Sequence, residues 1–107
     1  MGKKQINESI KIFIKKAKEK FNPEKIILFG SFAKGKTNDY SDVDLVLLSD
    51  KFSTIPQEKR LDYLYDLIKD LYPDFHVFGF TSSEFENASR LTTVEEIKKY
   101  GKVIYWA

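Results

Sequence analysis

Two acidic residues with one residue between them stand at the start of an otherwise apolar segment, D-V-D-L-V-L-L. Successive side chains of a strand point to opposite faces, so Asp42 and Asp44 are expected on one face, with Val43 and Leu45 on the other, in the core. Two close carboxylates repel each other and raise each other's proton affinity, and a hard divalent cation removes that cost. The spacing therefore predicts a metal site for Asp42 and Asp44.

A glycine and a serine precede the two acids by about a dozen residues. Gly30 and Ser31 follow the apolar segment K-I-I-L-F, where a strand would end and a helical turn would begin. Free backbone N–H groups at such a turn bind phosphate, although a Gly-Ser pair alone is usually only a turn. Asp42 could also merely cap the turn after Ser41, whereas Asp44 would be costly to bury without a partner. Acids and turn together predict a site for Mg²⁺ and a nucleotide.

The helices that would position these residues follow from hydrophobic periodicity and from helix-ending residues. Apolar residues recur at helical spacing before Pro23 and again before Pro73, and Thr93 with Glu96 forms a capping-box pattern ahead of Gly101. Four helices are therefore predicted, at residues 4–21, from residues 53–56 to Pro73, at residues 82–87, and from Thr93 to Gly101.

Four short apolar segments predict strands. They lie at residues 25–29, 43–48, 75–80 and 103–106, the last at an edge of the sheet. The order α-β-β-α-β-α-α-β predicts an α/β or α+β fold, a small mixed sheet with helices mainly on one face. The chain of 107 residues is expected to form a single domain over residues 1–107.

The bulk composition excludes several functional classes. A net charge of +2 does not predict a dedicated nucleic-acid binder, and the sequence has no cysteine for a disulfide or a thiolate metal site. No apolar stretch is long enough for a membrane span, and the first residues do not form a signal peptide. A cytoplasmic protein is expected.

The segment G-S-F-A-K-G-K-T-N-D-Y-S-D-V-D-L resembles the signature of the DNA polymerase β-type nucleotidyltransferase superfamily: Gly-Ser, a spacer of about a dozen residues, then Asp-x-Asp between apolar residues. Within that superfamily, the form G-S-x-A-x-G and the ending V-E-E-I-K-K-Y-G-K-V-I-Y are similar to the minimal nucleotidyltransferases. The resemblance covers nearly the whole chain.

The resemblance implies a reaction in which a hydroxyl attacks the α-phosphate of a nucleotide, ATP in the first instance, and pyrophosphate leaves. It implies that Asp42 and Asp44 hold Mg²⁺, in a site that could take two ions. Nucleotide binding would fall to the following residues: Gly30, Ser31, Lys34 and Ser41. Lys36 is a weaker candidate, and both lysines could equally serve surface solubility.

Many minimal members pair with a helical protein of the HEPN type, an RNase toxin. They act there as antitoxins, by binding the toxin, by attaching AMP to one of its tyrosines, or both. The resemblance therefore implies such a partner, with self-association as a further possibility, and no membrane or nucleic-acid partner.

The third carboxylate of the family is missing from its expected place, where this sequence has His76. Three interpretations stay open: Asp74 supplies the third acid after a local shift, His76 acts as a ligand or as the base for the attacking hydroxyl, or activity is weak or lost. His76 could equally be an ordinary strand residue.

Two further functions compete with an adenylyl-transferring antitoxin. The fold could serve as a binding module that covers a partner with exposed aromatic residues such as Tyr63, Tyr65 and Tyr72, although a core role is expected for some of these. Alternatively, the acceptor could be RNA or a small molecule. That function ranks last, because no additional domain to grip such a substrate is expected in 107 residues.

Overall fold

The computed structural model describes residues 3–35, 42–88 and 92–107, which form four strands and five α-helices. A 3₁₀ helix, Asp50–Thr54, precedes the third α-helix. In chain order the elements are α1 (Lys3–Phe21), β1 (Lys25–Phe29), α2 (Ser31–Lys34), β2 (Val43–Leu48), α3 (Gln57–Ile68), β3 (Phe75–Phe80), α4 (Ser82–Asn87), α5 (Thr92–Tyr100) and β4 (Lys102–Trp106).

The four strands form one mixed sheet in the order β3-β2-β1-β4. Strand β1 runs antiparallel to β2 and β4, and β2 runs parallel to β3. The C-terminal end of β1 and the N-terminal ends of β2 and β3 therefore meet at one end of the sheet. Phe29 pairs with Asp44, and Asp44 pairs with His76, so the register brings three distant segments together there.

Alternation along the strands divides the apolar residues between the two faces of the sheet. The larger core cluster includes Leu28, Val43 and Leu45 and lies under α1 and α3. A smaller cluster, with Val46 at its centre, lies under α4 and α5. The predicted fold class is confirmed, and the two long helices cover one face while short helices cover part of the other.

Arg60 connects α3 to the C-terminal end of β3 and to α4. Only 5% of this residue is exposed. Its guanidinium donates to the carbonyl oxygens of Phe52, Ile55 and Gly79 at 2.7, 2.9 and 3.0 Å. It also forms two hydrogen bonds with the Glu84 carboxylate, at 2.7 and 3.0 Å. The network fixes α4, and the apolar residues beneath it, against β3.

Several local predictions need correction. Helix α3 begins at Gln57 and ends at Ile68, so it is shorter than the apolar pattern suggested. Helix α5 begins at Thr92, one residue before the predicted N-cap. The side chain of Thr93, and with it the predicted capping box, lies outside the part of the chain that the structure describes. A capping box is present in α4, where Thr81 accepts from the Glu84 N–H and Glu84 accepts from the Thr81 N–H.

The expected core role is wrong for the three tyrosines named above. Tyr63, Tyr65 and Tyr72 are all exposed.

Among the helices that the structure describes, none is both long and apolar enough to cross a membrane.

Candidate active site

The two predicted carboxylates lie on one face of the sheet and point toward the same imidazole. Asp44 is the second residue of β2, and Asp42 immediately precedes that strand. Nε2 of His76 lies 3.5 Å from Oδ2 of Asp42, and Nδ1 lies 3.7 Å from Oδ1 of Asp44. Val43 and Leu45 are fully buried on the opposite face, as the alternation predicts. The strand pairing thus places an acid pair and a histidine in one open cluster.

Asp44 is the more enclosed of the two acids, with 25% of its side chain exposed against 41% for Asp42. Burial raises the pKa of the Asp44 carboxyl; His76 acts in the opposite direction, and the neighbouring Asp42 adds to the increase. The fold therefore holds Asp44 where its negative charge is disfavoured. A cation bound between the carboxylates would relieve this charge conflict.

Gly30 brings the end of β1 against the Asp44 carboxylate. Its φ of 74° and ψ of −151° lie in a region that is nearly restricted to glycine. A Cβ at this position would overlap the Oδ2 atom of Asp44. Ser31 follows as the exposed first residue of α2, and buried Ala33 anchors this short helix to the core. Only glycine allows the backbone to pass this close to the acid.

The remaining predicted residues are less well defined. Lys34 ends α2, but its side chain, like the whole of Lys36 and Ser41, lies outside the part of the chain that the structure describes. Asp74 is exposed just before β3, and its carbonyl oxygen accepts from the Val43 N–H at 2.9 Å. No contact among the described residues joins the Asp74 carboxylate to the acid pair; His76 faces both acids instead.

Comparison with known sequences places this geometry in a family. The family model described as "Nucleotidyltransferase domain" matches residues 10–104. The chain belongs to that family. The match confirms the resemblance drawn from the Gly-Ser and Asp-x-Asp residues, and it includes every candidate site residue of this nucleotidyltransferase domain.

A curated relative from Methanocaldococcus jannaschii, named "Putative protein adenylyltransferase MJ1305", is 35% identical over 77 residues. The match covers 70% of this chain and 49% of the relative, so the chain spans about half the relative's length.

Two solved structures share the fold of the nucleotidyltransferase domain. One is "a putative nucleotidyltransferase from Sulfolobus solfataricus", with a TM-score of 0.61 and 18% identity, covering 99% of this chain and 90% of the other. The second is a toxin-antitoxin structure with AMP-PNP, with a TM-score of 0.59 and 18% identity, covering 91% and 73%. At this identity both support the fold alone.

The donor set fits a magnesium ion that is shared with a substrate. Among residues 3–35, 42–88 and 92–107, no group of three or more His, Asp or Glu side chains forms a complete metal site. Mg²⁺ is usually held by one or two carboxylates together with substrate phosphates and water. Asp42 and Asp44 match that partial set, and Gly30 brings the backbone at the start of α2 close to Asp44.

One neighbour of the nucleotidyltransferase site was not singled out from the sequence. Phe78 lies two residues after His76 in β3 and, by strand alternation, on the same face. Its ring centroid lies 6.1 Å from that of Phe29. The alternation of F-H-V-F could have indicated this position, but nothing in it distinguishes an exposed ring from a core residue.

Proposed function

We propose that this protein is a Mg²⁺-dependent nucleotidyltransferase that transfers AMP from ATP to a hydroxyl group of a partner protein. The observation that carries the proposal is the meeting of Gly30, Asp42 and Asp44 at one end of the sheet. A turn into the start of a helix beside two carboxylates suits a nucleoside triphosphate with its bound cation. Membership of the nucleotidyltransferase family supports the same reaction class.

Each residue has a separate task in this proposal. Gly30 and the backbone of Ser31 bind the phosphates that will leave, and Asp42 and Asp44 would hold Mg²⁺ through their carboxylate oxygens. Bound Mg²⁺ would supply positive charge that offsets the charge developing on the phosphate oxygens. The acceptor oxygen forms a bond to the α-phosphorus as the bond to the β-phosphate oxygen breaks, and pyrophosphate leaves.

His76 is the proposed acceptor of the proton from the attacking hydroxyl. It lies at the position where the family supplies a third acid, and Asp42 lies 3.5 Å from its Nε2 atom. An imidazole beside carboxylates can take up a proton as the hydroxyl attacks. The transfer is therefore expected to persist without a third carboxylate.

The proposed acceptor is a tyrosine of a HEPN-type toxin, which would make this protein the antitoxin of a pair. The name of the 35% identical relative refers to adenylyl transfer to protein. The second solved structure that shares this fold is a toxin-antitoxin with AMP-PNP. Both names support a protein acceptor, in preference to RNA or a small molecule.

The test is label transfer from α-³²P-ATP to the proposed HEPN-type partner, sought among the genes beside this one, with and without Mg²⁺. We expect Asp42→Asn and Asp44→Asn each to reduce the transfer by about 100-fold or more, because each removes an oxygen ligand and a charge. Asp66→Asn is the matched control, since Asp66 is a surface acid on α3 that forms ion pairs with Lys20 and Lys69. Transfer that is equal in all four proteins would show that the site is assigned wrongly.

A catalytically weakened binding module is the second candidate. It is favoured by the position of His76, which faces both acids where a third carboxylate was expected. The exposed tyrosines of α3 would then contribute to a partner surface. Neutralisation of the toxin by a protein that carries both Asp42→Asn and Asp44→Asn, with no label transfer in the wild type, would support this candidate over the enzyme.

A further inference from the structure

The register of the sheet fixes the direction in which the proposed displacement would run. Gly30 follows Phe29, which pairs with Asp44, and Asp44 pairs in turn with His76. Phe29, Asp44 and His76 therefore lie in a row that crosses three neighbouring strands, and Gly30 lies at the β1 end of that row, one residue beyond Phe29. In phosphoryl-type transfer, the attacking and leaving oxygens lie roughly in line. If pyrophosphate leaves toward Gly30, the acceptor hydroxyl approaches from the side of β3.

The nucleoside must then lie to one side of that row. It is attached through one of the equatorial oxygens of the α-phosphorus, which lie roughly perpendicular to the line of displacement. On the surface of the sheet, the direction perpendicular to this row is the direction of the strands. From the row, the N-terminal direction of β3 leads off the end of the sheet, and the C-terminal direction of β3 leads over Phe78.

Phe78 is placed and exposed as a stacking surface would be. It follows His76 by two residues, so it lies on the same face about 6.6 Å further along β3. It is 46% exposed, on a strand at the edge of the sheet. Phe29 supports the ring from the side at an interplanar angle of 41°. Further along this face, the Phe80 ring packs against Phe85 of α4, so Phe78 is the open ring nearest the acids.

We propose that Phe78, supported by Phe29, is the surface on which the base of the bound nucleoside triphosphate stacks. The inference rests on the proposed function, because it takes the phosphates to lie at Gly30 and the acids. An aromatic ring offers stacking area without hydrogen bonds, so it favours the larger purine bases over pyrimidines. The ligand class is thus a purine nucleoside triphosphate.

Isothermal titration calorimetry in Mg²⁺ tests the proposal with two probes, ATP and inorganic tripolyphosphate. Phe78→Ala should weaken ATP binding by about ten-fold, within the range of base–aromatic stacking, and leave tripolyphosphate binding unchanged. Phe78→Trp should retain the affinity for ATP. Leu61→Ala is the control. Leu61 is also exposed, and together with Phe78 it lines a groove of about 340 Å³ beside β3. It belongs to α3, on the opposite face of the sheet, so its replacement should not change ATP binding.

The outcomes separate this inference from the proposed function. If Asp44→Asn weakens both probes while Phe78→Ala binds ATP like the wild type, the stacking surface is refuted and the proposed function stands. If Phe78→Ala weakens both probes equally, or Leu61→Ala weakens ATP as much as Phe78→Ala, the stacking surface is also refuted. If Asp44→Asn changes neither probe, the proposed function fails.

A comparison within the wild type requires no substitution. ATP should bind several-fold more tightly than UTP, and more tightly than tripolyphosphate. Equal affinity for ATP and UTP would contradict a base-stacking role for Phe78.

Discussion

Replacement of Gly30 by alanine tests the close approach on which the site depends. The φ and ψ of this residue, 74° and −151°, lie in a region where other residues are strained by about 1–3 kcal/mol. The added Cβ would also overlap the Asp44 carboxylate, with the Cγ atom of Asp44 at 3.2 Å. Strain and overlap together should lower the free energy of unfolding by about 2–4 kcal/mol.

The functional effect should be measurable separately from the loss of stability. The Asp44 carboxylate can escape the new methyl group only by moving away from its position beside His76 and Asp42. We expect binding of Mg²⁺ and ATP to weaken at least ten-fold at a temperature where the variant is fully folded. Urea denaturation gives the stability, and calorimetric titration with ATP in Mg²⁺ gives the affinity.

Gly35→Ala is the matched control, because Gly35 also has a positive φ, 72°, but an added Cβ would meet no atom within 4 Å. It should lose about 1–2 kcal/mol of stability, from backbone strain alone, and keep its affinity for ATP. A second control combines Gly30→Ala with Asp44→Ala. With the carboxylate gone, the combined destabilisation should be less than the sum of the two single changes. Wild-type ATP affinity in Gly30→Ala, or full additivity in the double variant, would refute the reasoning.

Three further predictions follow from burial and charge. Asp44→Asn should raise the free energy of unfolding by roughly 0.5 kcal/mol in Mg²⁺-free buffer above pH 6, while abolishing label transfer. Burial raises the pKa of Asp44, so ionisation of this carboxyl destabilises the fold as the pH rises. Equal or lower stability of the variant in urea denaturation would contradict this. The Arg60 guanidinium lowers the pKa of Glu84 from 4.5 to about 2, a shift worth about 3 kcal/mol that we reduce to about 1–2 kcal/mol because 32% of the side chain is exposed. Glu84→Gln should therefore be less stable than the wild type by that amount at pH 7. In an acid titration followed by circular dichroism, the wild type should lose this stability between pH 4.5 and 2, whereas the variant should not. Gly79→Ala should lower the midpoint of urea denaturation by an amount that corresponds to about 1–3 kcal/mol, because its Cβ would lie 2.6 Å from the Phe52 ring in the core; an unchanged midpoint would show that the core can shift to accommodate it.

Local sequence was sufficient to predict most of the elements and the shared face of the two acids. The apolar segments at residues 25–29, 43–48 and 75–80 agree with β1, β2 and β3 to the residue, because Gly, Pro or a polar residue bounds each of them. Alternation correctly placed Asp42 and Asp44 on one face.

The rest of the site depends on pairing between distant segments. No local rule indicates that β2 runs parallel to β3 with Asp44 opposite His76, since that register is set by packing against α3. The network around Arg60 could not be predicted either, because an arginine in a helix is usually exposed and its partners here lie in other segments. The capping box of α4 was not predicted, although T-S-S-E has the same spacing as T-V-E-E; its Glu84 also forms hydrogen bonds with Arg60.

The mixed sheet also has a consequence for how the site forms and how it can change over evolution. Gly30 and Asp44 belong to neighbouring antiparallel strands, whose contact closes a short loop, whereas His76 joins them only after the chain has passed through α3. Contacts between distant segments generally form later during folding, because closing a longer loop loses more chain entropy. The contact between Gly30 and Asp44 is thus expected to form first, and His76 is expected to join it later, when β3 pairs with β2. A change at position 76 can therefore alter the chemistry without disturbing the Gly30–Asp44 pair.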